Sequence, residues 1–398
     1  MATTHTNENS VVIVGGGLVG LLAALLLAQD KIAVQVLEKS DEKKLHKRLL
    51  EVDRPISLNY RSYLLLKKLG VWEGLKKVAS PICHVHVSEK GAYGVLRFSA
   101  KQNHIPVLGY VVPYRDLHEE LLRQCKEVCD IEFQSEVESV TQSDQSVNLR
   151  CCNGLEFESR LLVAADGVHS KVRELLDIAT TCIDRGKVAV TGVIDSSCQG
   201  DGTAYQRFTT EGIFAILPGF SQKKFLVWTM SDQQWQDVSQ YDENKLAEVV
   251  ESCMGSRLGS IASVQLRVPM PLQRVNAATQ VSQRVVLLGN AAHTIYPIAA
   301  QGFNYSLQEV ILLQQMIHSQ CDYGASVVLE SFNSVAAAKR KQLYGLLQSI
   351  DHYFEYQVPG ASFIRGKLLS MLDYLPGKSA LAKKFLGISL CDQLLMHE

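Results

Sequence analysis

The residues with the plainest chemical spacing are Gly15, Gly17 and Gly20, set as G-x-G-x-x-G in the run VVIVGGGLVG at 11–20. Glycine at these places permits a tight turn, close backbone approach to a pyrophosphate and close packing of a helix on a strand. A ribose-holding acid belongs further on, and Glu38 stands 38 − 20 = 18 residues past Gly20. The set points to capture of an adenine dinucleotide. Asp166, followed by Gly167, ends an apolar run and would meet the same crevice as a hydrogen-bond partner rather than a general base. His293 is the candidate for moving a proton, since an unperturbed imidazole titrates near about pH 6.5. The competing reading is a satisfied structural histidine in a turn. His84 and His86 alternate along a strand with no third ligand nearby, and the ten cysteines lack C-x-x-C pairs, so no metal site is read. Reduced thiols are expected.

These residues need elements to hold them. Residues 11–14 are all apolar and suit a buried parallel strand, and 21–28 continue as an apolar helix. The N-terminus of that helix offers unpaired N–H groups and a partial positive charge to phosphate oxygens. Residues 33–37 form a second strand ending at Glu38, with third and fourth buried strands at 161–165 and 284–288. The fourth runs into GNAAHTIYPIAAQGFN at 289–304, and a helix is expected from about Tyr305. Residues 39–47 read as a solvated loop or helix face, while 116–129 form an amphipathic helix with Leu117, Leu121, Leu122 and Cys125 on one face. From 188 to about 271 alternating segments indicate a separate, mostly antiparallel sheet with one helix at 243–254. The remainder from Phe332 is helical, with breaks at Pro359-Gly360 and Pro376-Gly377.

Composition narrows the class. The chain has 398 residues, room for two intertwined domains, and a net charge of −1 argues against a general nucleic-acid binder. No apolar run approaches the roughly 20 residues that span a bilayer, and the polar start MATTHTNEN has no apolar h-region, so no secretory signal is expected. A cytoplasmic protein is expected.

The arrangement resembles the class A flavoprotein aromatic hydroxylases, which share the p-hydroxybenzoate hydroxylase fold, and within them the 2-polyprenylphenol hydroxylases of ubiquinone biosynthesis. The resemblance rests on the glycine turn with Glu38, on 53–58 (DRPISL) with LGVW at 69–72, on Tyr114-Arg115-Asp116-Leu117, on ADGVHSKVR at 165–173, on 289–304, and on 363–387. It implies an α/β fold: a parallel-sheet, Rossmann-like FAD-binding domain from 8–80, 110–180 and 280–330. Inserted in it is an antiparallel-sheet substrate domain from 81–109 and 181–279, followed by a helical C-terminal region, 331–398. It also implies FAD held by Gly15, Gly17, Gly20 and Glu38, with Arg54 and Arg115 on the flavin side and Asp166 and Gly167 in the DG motif. Gly289, Asn290, Pro297, Gln301, Gly302, Phe303 and Asn304 would wrap the ribityl chain and isoalloxazine. NADPH or NADH would reduce the flavin, O2 would add at its C4a, and the hydroperoxide would hydroxylate a polyprenylated phenol. Alternatives are a hydroxylase of a small soluble aromatic and a flavin-binding structural subunit of a biosynthetic complex.

Four positions depart from the family. Asn290 replaces a common aspartate, Ala300 the first glycine of G-Q-G, Tyr296 a frequent histidine, and 305–309 read YSLQE, with Ser306, for L-G-L-x-D. A left-handed backbone at Ala300 would cost ~1–2 kcal/mol. Residues 361–388 carry Arg365, Lys367, Lys378, Lys383 and Lys384 against Asp373, interleaved with apolar side chains. Two readings stand: a cap on the flavin domain, or a peripheral contact at the inner face of the membrane or with a multi-enzyme complex through 363–387.

Overall fold

The computed structural model describes residues 4–6, 10–51, 54–198, 200–219, 223–295, 301–355, 361–374 and 378. The apolar runs at the glycine turn and beyond it meet in one sheet. Its order is Val281–Ser282, Val285–Leu287, Leu161–Ala164, Ser10–Val14, Ala33–Glu38 and Asp130–Phe133. Every pairing is parallel except the first. Strands buried on both faces have no polar side to show. Val11, Ile13 and Val36 enter one core, while Val12, Val14 and Leu37 enter another. Burying such side chains contributes about 1.5–3 kcal/mol each.

The first core lies under helix Leu18–Gln29, which is apolar all round and is wedged against helices Tyr114–Val128 and Gln301–Ile317. The second lies under a sheet ordered Thr4–Thr6, Glu156–Ser159, Val147–Cys151 and Val137–Gln142. Three short strands, Pro55–Asn59, Gly109–Pro113 and Ser80–Ile82, lead from the parallel sheet into the inserted one.

The inserted sheet has the order Ile261–Leu266, Thr180–Ser196, Lys223–Ser231, Gly212–Pro218, Thr203–Thr209, His84–Glu89 and Val95–Ser99. Met270–Ala277 also pairs with the long strand Thr180–Ser196. Thr203–Thr209 runs parallel to His84–Glu89, and the other pairings are antiparallel. One face packs on helix Glu243–Met254. The other, with Ala204, Val85 and Phe98, packs toward Val111 and Tyr60.

Three expectations change. A second helix, Asp232–Val238, interrupts the antiparallel region, started by a capping box between Ser231 and Gln234. The helix expected from Tyr305 begins at Gln301. Helix Ala361–Tyr374 does not cap the flavin domain, because it docks on the Val95–Ser99 edge of the inserted sheet. There Arg365 Nε donates to Glu89 Oε2 at 2.8 Å, Gly366 lies against Gly94, and the Arg97 N–H donates to Asp373 Oδ1 at 2.9 Å. Among the described residues no helix is long and apolar enough to cross a membrane.

Candidate active site

The glycine turn closes where two parallel strands end. Gly15 donates its N–H to the Leu37 carbonyl at 2.8 Å and holds φ +111°. A Cβ there would stand 2.5 Å from the Ala165 carbonyl oxygen, so the strand ends approach only as glycine allows. Gly20 is needed for another reason, since a Cβ on it would run into the Gly15 carbonyl. At Gly17 an added Cβ meets nothing within 4 Å. Gly17 is also the N-cap of helix Leu18–Gln29, where no side chain caps the first-turn N–H groups. Free donors and free space coincide, as a phosphate requires.

Glu38 is 8% exposed and accepts from the Gly16 N–H at 2.9 Å and the Ser40 N–H at 2.8 Å. Both contacts hold the carboxylate still at the cavity wall. His118, 1% exposed, lines the same cavity, and its Nε2–H donates to the Gly16 carbonyl at 2.8 Å. Burial holds this imidazole below its ordinary range despite that bond, and Nδ1 is buried without a partner. The sequence reading missed it. Its signal was a histidine spaced with Leu121, Leu122 and Cys125 on the apolar face of helix Tyr114–Val128.

A second turn faces the first. Asp166 Oδ2 accepts from the Val172 N–H at 3.1 Å, while Oδ1 is buried and unpartnered. Gly167 holds φ +87°. Ser170 caps the helix Lys171–Leu175, and Arg173 donates to the carbonyls of Val168 at 2.8 Å and Ala291 at 2.7 Å. That arginine is a structural tie between the DG turn and the Gly289 turn. Gly289, buried at φ +57°, packs on Val19.

The cavity between these turns has a volume of about 1150 Å³ and reaches the inserted sheet at Thr191 and Leu266, helix Asp232–Val238 at Trp235, and the segment 267–270. Arg54 stands at this junction, its guanidinium carbon 4.3 Å from the Tyr114 ring centroid and Nη1 3.9 Å from Met270 Sδ. Its Nε is buried without a partner.

The remaining candidates are placed otherwise. Arg115 lies off the cavity lining, 44% exposed, with Nη2 3.8 Å from Asp116 Oδ2. Asn290 is exposed and Phe303 is half-buried on the core. A Cβ on Gly302 would meet nothing within 4 Å. Gln301 opens its helix. Asn304 is buried and spent on the protein. Its Nδ2 donates to the Ser57 carbonyl at 2.8 Å, and Oδ1 accepts from the Asn59 N–H at 3.0 Å and the Ser62 hydroxyl at 2.6 Å. Ser306 bonds back to the Gly302 carbonyl at 3.1 Å. Tyr296, Pro297 and Ala300 lie outside the described residues, as do 375–377 and 379–387 of the C-terminal stretch.

His293 is 1% exposed, with Nε2 2.8 Å from each Glu309 oxygen. Glu309 also accepts from Gln280 Nε2 at 2.9 Å, and Gln280 in turn accepts from Arg340. The geometry makes this a buried clasp between the Gly289 turn and helix Gln301–Ile317.

The residues present fit FAD. An uncapped helix start, open space over Gly17, and the unpartnered Asp166 Oδ1 and Arg54 Nε border one long cavity. A parallel sheet with this cavity and an inserted sheet at its far end is the architecture of FAD-dependent monooxygenases, which take electrons from NAD(P)H. The chain belongs to the FAD binding domain family, whose profile matches residues 8–344. It is 28% identical over 344 residues to the 3-demethoxyubiquinol 3-hydroxylase of Escherichia coli, covering 85% of this chain and 86% of that one. It is 26% identical over 361 residues to a ubiquinone hydroxylase of Rhodospirillum rubrum, covering 89% and 84%. Among solved structures, p-nitrophenol 4-monooxygenase of Pseudomonas putida superposes with a TM-score of 0.73 at 17% identity, covering 97% of each chain.

Proposed function

We propose that this FAD-dependent monooxygenase hydroxylates the aromatic ring of a polyprenylated phenol on the route to ubiquinone. The observation carrying this reading is the match to a ubiquinone hydroxylase and a 3-demethoxyubiquinol 3-hydroxylase along at least 85% of the chain. FAD, once reduced by NADPH or NADH, supplies activation of O2 and transfer of one oxygen atom to the ring.

The protein's own part is binding, orientation and exclusion of water. Gly15, Gly17 and Gly20 with the start of helix Leu18–Gln29 would cradle the pyrophosphate. Glu38 would accept the ribose hydroxyls, and Asp166 Oδ1 and Gly167 would bond the cofactor's middle. Arg54 would stand at the flavin side, where the parallel and inserted sheets meet. The open face at Gly302 and the helix start at Gln301 would offer N–H groups and a partial positive charge to the isoalloxazine. Residues 8–80, 110–180 and 280–330 would act as the FAD-binding domain, with 81–109 and 181–279 as the substrate domain. We place the protein in the cytoplasm, with peripheral contact through 363–387. Phe363, Ile364, Met371 and Tyr374 are exposed on the part of that stretch described.

Lipid quinone profiling of cells lacking this chain tests the substrate. Accumulation of a prenylated phenol short of one hydroxyl is expected. An unchanged quinone profile, with NAD(P)H oxidation by the purified protein on a small phenol, would replace the lipid by a soluble aromatic.

A further inference from the structure

A cluster of cations sits on the far face of the inserted sheet, away from the cavity. Strand register sets Tyr205, His86 and Arg97 in one row across three strands, and the Tyr205 and His86 rings are 5.6 Å apart. Two residues along, Arg207 pairs with Ser88 and donates to its hydroxyl at 2.9 Å and to the Cys253 carbonyl at 2.5 Å. Arg257 donates from Nη1 to the Met254 carbonyl at 2.9 Å. The two guanidiniums therefore cap the C-terminus of helix Glu243–Met254, an ordinary use of cations.

Capping does not exhaust them. A guanidinium has five N–H donors. Of these, Arg207 spends two and Arg257 one on the bonds just named. The acids of the region are committed elsewhere: Glu89 to Arg365, Glu211 to Lys90, Asp373 to Lys378, and Asp201, whose charge reaches Tyr205, to the Thr203 N–H. No carboxylate forms a salt bridge with Arg207 or Arg257 among the described residues, and Arg97 meets Asp373 only through its backbone N–H and at longer range. Like charge is felt within the group. Burial, then Arg257, weakens the Arg207 cation, and burial, then Arg257 and Arg97, holds His86 below its ordinary range. His86 Nδ1 is buried with no partner. Unspent donors without a counter-charge call for an anion, and planar guanidinium forks match phosphate.

We propose that Arg207 and Arg257, with Arg97 at the rim and His86 and Tyr205 beside them, form a phosphate-binding site separate from the FAD cavity. Its source is the headgroup of an anionic phospholipid, because helix Ala361–Tyr374 is fastened to strand Val95–Ser99, which carries Arg97, and exposes Phe363, Ile364 and Met371. A free phosphate compound is the other source of the same chemistry. The site does not depend on the hydroxylase reading.

The test uses the full-length, FAD-saturated protein with two probes. One is flotation with phosphatidylcholine vesicles with and without phosphatidylglycerol; the other is calorimetric titration with inorganic pyrophosphate. The double variant Arg97→Gln/Arg257→Gln leaves the Arg207 bonds in place, and an unchanged flavin spectrum certifies its fold. Arg257→Lys keeps the charge, loses the fork, and should bind with intermediate strength. Retention on phosphatidylglycerol vesicles should fall at least about tenfold in the double variant, with pyrophosphate competing in the parent protein. Pyrophosphate binding lost in the variant, without vesicle retention by the parent, would keep the site and assign it to a free phosphate. Binding of neither probe by the parent, or binding unchanged by the double variant, overturns the proposal.

Discussion

His118 holds the glycine turn in place: its Nε2–H donates to the Gly16 carbonyl at 2.8 Å across 102 residues of sequence. Gly16 in turn donates its N–H to Glu38 at 2.9 Å, so one residue of the turn is gripped from both sides. The bond to a carbonyl fixes Nε2 as the donor and leaves Nδ1, buried and unpartnered, nothing to do with a second proton.

This makes stability depend on pH with a definite sign. Burial lowers the folded-state pKa of His118 from 6.5, so the unfolded chain binds the proton more readily. Its contribution is complete above about pH 6.5 and is lost as pH falls from there toward the lowered folded value. His86 is shifted in the same direction and adds to the effect. His118→Gln, which can still donate to Gly16, should flatten the fall in unfolding free energy between about pH 6.5 and 5. Denaturant titrations across that range measure it, and an unaltered pH slope would refute the assignment.

The glycines of the turn should fail in different ways. A Cβ at Gly17 meets nothing within 4 Å, so Gly17→Val should fold with ordinary melting behaviour yet lose FAD by obstruction of the phosphate. Gly15→Ala meets the Ala165 carbonyl at 2.5 Å and a φ of +111°, so folding itself should suffer. Circular dichroism together with FAD stoichiometry separates the cases. Yellow, stoichiometric protein from Gly17→Val would remove the turn from the cofactor site.

His293 should prove to be a clasp rather than an acid or base. His293→Ala leaves the Glu309 carboxylate, 2% exposed, with only Gln280, and should cost about 3 kcal/mol of stability. Glu309→Gln retains an acceptor and should cost less. His293→Gln should leave the shape of the kcat–pH profile unchanged. Disappearance of an ionisation from that profile would return His293 to the chemistry.

The C-terminal helix should detach when its buried ion pair is broken. Arg365→Met strands Glu89, and roughly 3–5 kcal/mol is at stake in leaving a buried charge unpaired. Hydrogen exchange should then rise along Val95–Ser99, whose Arg97 N–H loses Asp373, while the flavin spectrum is kept. Glu89→Met combined with Arg365→Met should restore part of the protection. Loss of FAD from Arg365→Met would instead tie this helix to the flavin domain.

Much of the site was legible because its signals are local. The glycine turn, its strand and its helix occupy one stretch, and the period of apolar residues names their faces directly. Within ADGVHSKVR, Ser170 caps its helix and Asp166 borders the cavity, since both bonds close within six residues. Arg115 and Asn304 were carried into the site by motif alone. One lies off the cavity lining and the other ties two elements together, because position in a motif does not say which way a side chain turns.

The sequence by itself determined the dinucleotide turn and the buried parallel strands, because each follows from short-range spacing and apolar runs. Only the tertiary structure decided that His118 grips Gly16, that Arg54 lies over Tyr114 beside Met270, and that Arg365 fastens the last described helix to Glu89. Those partners are up to 276 residues apart. A pattern read within a few turns of chain does not encode which distant strand or helix will supply the other half of a bond. That is set by sheet order and by what must be buried together.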